Sequence, residues 1–129
     1  MARCVIDTSA VFVDLQGETG AEKAREWLRD AAISAVNLQE IVAKSIEKGV
    51  PSEVVPDMLA RLRLDVHPHN GAQALAAGRM REATAGQGLS LADRSCLALA
   101  AALKLPAVTA DRAWAEIAEA VGVEVVLVR

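Results

Sequence analysis

Aromatic residues are nearly absent: two Trp, one Phe and no Tyr make up 2% of the 129 residues. Repeated base stacking on an aromatic platform is therefore not how this chain grips a ligand. With so few aromatics the core has to be built from Ala, Val, Leu and Ile, which suits helices packed on a Val-rich sheet. Cysteine is scarce too. Cys4 and Cys96 lie inside apolar segments, and neither belongs to a Cys-x-x-Cys pair or a Cys/His cluster with metal-ligand spacing. They read as buried thiols in a reducing compartment. The longest unbroken apolar run, "CLALAAAL", falls far short of the roughly 20 residues of a membrane span. Near the N-terminus, Asp7 stands where a signal peptide would need its apolar stretch. The expectation is a soluble, cytoplasmic protein with no membrane partner.

An excess of positive charge is also missing. The formal net charge is −3, which argues against coating nucleic acid through bulk charge. A local basic rim remains compatible, with Arg61, Arg63, Arg79, Arg81, Arg94 and Arg112 as candidates, although any single arginine reads equally well as a solvated helix face. No linker, internal repeat or low-complexity tract divides the chain, so residues 1–129 are expected to form one domain.

Strand-like and helix-like segments alternate. "RCVID" opens as a strand, and "AEKAREWLRDAAI" follows as a helix with Ala24, Trp27, Leu28, Ala31 and Ala32 on one stripe. "ISAV" leads into the helix "NLQEIVAKSIEKG", and Ser52 can cap a further helix with Pro56 in or near its first turn. "LDVHP" reads as a strand and "GAQALAAGRMREATAGQG" as a helix ending in glycines. A helix over "LSLADRSCLALAAALKLP" follows, and "PAVTADRAWAEIAEAVGVEVVLV" closes with strand, helix and strand. The order β, α, β, α, α, β, α, α, β, α, β implies an α/β fold with a mostly parallel sheet and helices on both faces.

One residue sits oddly in this pattern. Counting by three and four from Asp93 lands on Cys96, Leu97, Ala100 and Ala101, so a carboxylate shares the apolar stripe of its helix. Asp93 is one of four acids just after strands or in the first turn of the next helix, with Asp7 ending "CVID", Glu40 in "NLQEI" and Asp111 in "VTADR". Taken singly, three have ordinary explanations. Asn37 and Glu40 have capping-box spacing, as do Ser90 and Asp93, and Asp111 suits the positive end of a helix dipole. Asp7 ends an apolar strand with no helix expected directly after it, so capping explains it poorly. Together, in a parallel sheet, the four converge on one edge. Converging carboxylates repel and raise one another's pKa unless a cation neutralises them. Hard oxygen ligands favour Mg²⁺ or Mn²⁺, and such a site suits metal-assisted phosphodiester hydrolysis.

These motifs carry a resemblance. "VIDTSAV", "ISAVNLQEI", "GLSLADRSCLALA" and "LPAVTADRAW", in this order and spacing, resemble a PIN-domain protein, most closely a VapC-type toxin ribonuclease of a toxin–antitoxin pair, over nearly the whole chain. The resemblance implies a three-layer α/β/α sandwich with a central, mostly parallel sheet of 4–5 strands. It also implies Mg²⁺- or Mn²⁺-dependent endoribonuclease activity that inhibits translation or growth. Asp7, Glu40, Asp93 and Asp111 would form the catalytic, metal-holding quartet, and Thr8, Ser9, Asn37 and Thr109 would orient ligands or water around it. The implied partners are RNA, a second copy of the chain in a homodimer, and an antitoxin whose C-terminal segment covers the acidic pocket. Ala92, where relatives often have Gly, and Asp14, inside an apolar segment, depart from the pattern without touching the quartet.

Other residues weigh less. His67 and His69 flank Pro68, but with no third ligand nearby they read as a strand-end turn. Trp27 and Trp114 read as packing residues. Arg94 and Arg112 each follow a quartet acid directly, and about 100° of helical rotation would place them at the pocket rim to hold substrate phosphates. Two alternatives stay open: a non-catalytic PIN-like module acting through a protein partner, and a phosphoryl-transfer protein. For the latter, Ser9 stands where a haloacid dehalogenase-type phosphatase has its second Asp, and a receiver domain's paired acids and late lysine are missing.

Overall fold

A computed structural model describes all 129 residues. The elements are β1 (Cys4–Ile6), α1 (Thr8–Leu15), α2 (Ala21–Leu28), β2 (Ala31–Ser34), α3 (Ala35–Glu47), α4 (Val55–Ala60) and β3 (Asp65–His67), followed by α5 (Gly71–Arg79), α6 (Arg81–Thr84), α7 (Leu91–Leu103), β4 (Ala107–Thr109), α8 (Trp114–Val121) and β5 (Val125–Leu127). All five strands are parallel, in the spatial order β3-β2-β1-β4-β5.

The alternation of strand side chains divides the interior into two cores. Cys4 and Ile6 of β1, Ala31 and Ile33 of β2, and Val108 of β4 pack against Val11 and Val13 of α1 and Ala24 and Leu28 of α2. Val5, Ala32 and Ala107, the intervening residues, pack against Cys96 and Leu97 of α7 and Trp114 and Ile117 of α8. A helix layer therefore covers each face of the sheet, the expected three-layer sandwich. Trp114 is fully buried, so truncating it to Ala would cost about 3–5 kcal/mol. At Gly20 the backbone is left-handed, and a Cβ there would overlap the Val128 carbonyl oxygen, so only glycine lets the α1–α2 loop close against the end of the chain.

Several local expectations are corrected. Helix α1 starts directly after Asp7, where no helix was expected. Its "TSAVFVDL" sequence has the β-branched content of a strand, and burial of Ala10, Val11 and Val13 overrides that propensity. Ala31 and Ala32 belong to β2, not to the stripe of α2, because a fully buried strand has apolar residues on both faces and imitates a helix. Ser34 caps α3 through a 3.2 Å bond from the Val36 N–H, which puts Asn37 inside the helix and dissolves the expected Asn37–Glu40 capping box. Val54, not Ser52, stands at the N-terminus of α4. The single helix expected over "GAQALAAGRMREAT" is broken at Met80 into α5 and α6. No helix is long and apolar enough to cross a membrane.

Candidate functional site

The strand order reverses between β1 and β4, and the carboxyl ends of strands at such a switch point are where open parallel sheets bind ligands. Asp7 is the first residue past β1 and Thr109 the last of β4. Asp7 is 3% exposed, and although it occupies the N-cap position of α1 its side chain makes no capping bond. Instead its Oδ2 accepts from Ser9 Oγ at 2.7 Å and Thr109 Oγ1 at 2.8 Å. Each hydroxyl has a single proton, and both are spent on Asp7. Their lone pairs accept the backbone N–H of Ala110 and Asp111, at 3.0 and 3.1 Å. This leaves Asp7 Oδ1 without a protein donor. Burial pushes the Asp7 carboxyl up to about 6, against the lowering effect of Ser9 and Thr109, and the charges of Asp93 and Glu40 push it further the same way.

Helix α3 brings in the second group. Asn37 is fully buried, and its Nδ2 donates to the Ala92 carbonyl at 3.2 Å and to Thr8 Oγ1 at 3.4 Å, tying the first turn of α3 to those of α7 and α1. Its Oδ1 is buried with no partner. One turn later Glu40 is half-buried, with Lys44 Nζ at 3.6 Å.

Helix α7 opens with the expected capping box: Ser90 Oγ accepts from Asp93 N at 3.1 Å, and Asp93 Oδ2 accepts from Ser90 N at 2.8 Å. Asp93 thus both caps its helix and faces the other acids. Its carboxyl is raised by burial, lowered by the two Ser90 bonds, and raised by the charges of Asp111 and Glu40. Asp111 is exposed and its Oδ1 accepts from Ala113 N at 3.0 Å, holding the turn before α8.

The fold therefore gathers Asp7, Glu40 and Asp93 into one electrostatic group, with Asp111 joined to it through Asp93. No three of their side chains close on a single point as a preformed metal cage. An open arrangement fits Mg²⁺ or Mn²⁺, which keep several waters and use few protein ligands. The donor chemistry fits as well: the carboxylates and the unpartnered Asn37 Oδ1 are hard oxygens, with no histidine or thiolate among them.

The remaining candidates divide. Arg94, the residue after Asp93, is anchored by a 3.0 Å bond from its Nε to Thr84 Oγ1, while Arg112 is exposed and makes no side-chain bond. His67 pairs with Asp65 at 2.9 Å, and neither His67 nor His69 joins a metal-ligating cluster. Trp114 is core, and Trp27 is partly buried beneath the Arg3 guanidinium, 5.3 Å from its ring centroid. One residue beside the acids escaped the sequence reading. Lys44 was visible as the i+4 partner of Glu40. Cys96, fully buried, feels the charges of Asp7, Asp93 and Glu40, and its thiol is pushed well above its ordinary range chiefly by burial.

A family model described as the PIN domain matches residues 4–120. Among solved structures, DNA-bound VapBC from Salmonella typhimurium is similar with a TM-score of 0.76 at 20% identity, covering 100% of both chains. A toxin–antitoxin complex from Klebsiella pneumoniae gives 0.73 at 20% identity over 98% of each chain. FitAcB from Neisseria gonorrhoeae gives 0.69 at 18% identity over 97% of each. At these identities the likeness is one of fold. No curated protein matches the sequence.

Proposed function

The chain belongs to the PIN domain family, and from that premise we propose that it is a divalent-metal-dependent endoribonuclease, the toxin of a type II toxin–antitoxin pair acting on RNA in the cytoplasm. The observation that carries the reading is the gathering of Asp7, Glu40 and Asp93, with Asp111 beside them, at the switch point of an all-parallel sheet. Uncompensated, the charges of Glu40, Asp93 and Asp111 push up the carboxyls of Asp7 and Asp93, and a cation is the natural counter-charge.

Asp7, Glu40, Asp93 and Asp111 would hold Mg²⁺ or Mn²⁺, which supplies a lowered pKa for the attacking water and neutralises phosphoryl oxygens. The rest is the work of the protein. Ser9 and Thr109 fix Asp7 by one oxygen, so the other is directed to the crevice. Asn37 and Thr8 hold the first turns of α3, α7 and α1 in register, which sets the spacing between Glu40, Asp93 and Asp7. Arg94 and Arg112 offer cations to the phosphates on either side of the cut. The similar toxin–antitoxin complexes support an antitoxin partner. In this proposal its C-terminal segment covers the crevice, and the working form is a homodimer.

The test is incubation of partner-free protein with structured cellular RNA in Mn²⁺, Mg²⁺ or chelator, beside Asp93→Asn. Discrete cuts that need metal and vanish in the variant are expected. An Asp93→Asn protein that cuts as fast as wild type overturns the quartet. Folded protein that cuts no RNA under any condition favours the non-catalytic module.

A further inference from the structure

On the carboxyl edge of the sheet, next to Asp93, a second concavity opens between α5, α6 and the first turns of α7. Its volume is about 360 Å³, and His69, Gly78, Arg81, Leu91 and Arg94 line it. Two cations face it with no carboxylate paired to either: Arg81 and Arg94 are absent from every ion pair in the protein.

Arg94 is held in place. Its Nε donates to Thr84 Oγ1, and Thr84 is fully buried and donates in turn to the Met80 carbonyl at 2.7 Å. The anchor uses one edge of the guanidinium and leaves both terminal nitrogens free, a fork already fixed in the geometry that binds a phosphate bidentately. Leu91, 73% exposed, stands at the mouth as an apolar surface. The Nδ1 of His69 is buried without a hydrogen-bond partner. Gly78, the second-last residue of α5, has an ordinary helical backbone, and a Cβ there would meet nothing within 4 Å. Gly78 therefore lines the cleft without a side chain in it.

We propose that this cleft is a nucleotide subsite, which takes a nucleotide of single-stranded RNA flanking the scissile phosphate. Arg94 and Arg81 hold its phosphate and Leu91 packs against its base or sugar. Thr84 is a positioning residue that acts through Arg94. The inference rests on the ribonuclease reading, because the cleft adjoins Asp93 and would feed the strand to it. Cleft volume suits a nucleotide better than a bare phosphate, and bases splayed from single strands are the part of RNA that proteins commonly read.

The experiment measures equilibrium binding of a labelled single-stranded RNA in chelator as a function of salt, and KM and kcat for cleavage in Mn²⁺. Arg94→Ala and Arg81→Ala are each expected to weaken binding about tenfold and to reduce the salt slope by about one. In cleavage they raise KM by a similar factor and leave kcat within about twofold, as expected when uniform binding is lost. Thr84→Val keeps the volume and the Thr84 N–H bond to Met80 O, and is expected to weaken binding about threefold. Gly78→Leu places a side chain in the cleft from a position where a Cβ meets nothing within 4 Å, and, once confirmed folded, is expected to bind about tenfold more weakly. If these variants bind and cleave like a wild type that cuts RNA, the subsite is overturned and the nuclease reading survives. If wild type neither binds nor cuts RNA, both fail together.

Discussion

Thr109 Oγ1 donates a 2.8 Å hydrogen bond to Asp7 Oδ2, joining the ends of β1 and β4 across 102 positions of sequence. The bond spans the point where the strand order reverses, and it accounts for why a carboxylate is tolerated at 3% exposure. Thr109→Val, equal in volume, removes that donor and leaves the Asp111 N–H without its acceptor. A loss of about 2 kcal/mol in urea unfolding is expected, as for a buried bond to a charged group. Cleavage should fall tenfold or more, as when other groups orienting metal ligands are removed. Unchanged stability and rate would contradict the role given to Thr109.

The pH dependence of stability isolates Asp7. Its folded pKa, about 6, lies above the ordinary 3.8, so the native state binds the proton more tightly than the unfolded chain. The contribution from Asp7 is therefore most favourable below pH 3.8, declines as pH rises through about 6, and is level above that. In chelator, wild type should lose about 3 kcal/mol relative to Asp7→Asn between these limits, at 1.36 kcal/mol per pKa unit. Added Mn²⁺ should remove the difference. Parallel stability curves for the two proteins would show that Asp7 does not carry this strain.

How much of this was legible in the sequence can be seen residue by residue. Asp93 was legible because its local signals agreed: a capping-box partner in Ser90 and an inward-facing position on the stripe of Cys96 and Leu97. The two cores followed from the Val- and Ala-rich strands. Asn37 was assigned a cap it does not make, because Ser34, three residues earlier, competes for the same role and wins by ending a buried strand. Helix α1 was missed because its valines favour a strand locally and are overridden by packing against α2. The Ser9–Asp7–Thr109 arrangement depends on a contact between distant segments, which only the motif resemblance could suggest.

Lys44 competes with any cation for Glu40. The pair is partly exposed, at 3.6 Å, so its own contribution to stability is below about 1 kcal/mol. Lys44→Gln should leave the melting temperature nearly unchanged and tighten Mn²⁺ binding about two- to fivefold by calorimetry. Weaker Mn²⁺ binding would show that Lys44 supports the site.

Asn37 connects three helix N-termini from a fully buried position. Asn37→Ala leaves the Ala92 carbonyl without this donor, and a loss of about 1–3 kcal/mol in chemical unfolding is expected. Mn²⁺ affinity should fall with it, since Glu40 and Asp93 lose their common tether. A stable variant with unaltered affinity would place the spacing of the acids under other control.

The measurement closest to the central claim is Mn²⁺ binding by electron paramagnetic resonance to wild type, Asp7→Asn and Asp93→Asn, each confirmed folded. Saturable binding by wild type that weakens at least about tenfold in both variants, and is unchanged in Arg94→Ala, is the predicted result. Equal Mn²⁺ affinity in wild type and both acid variants would contradict it, and the convergence of these carboxylates at the switch point would then have to be explained without a metal.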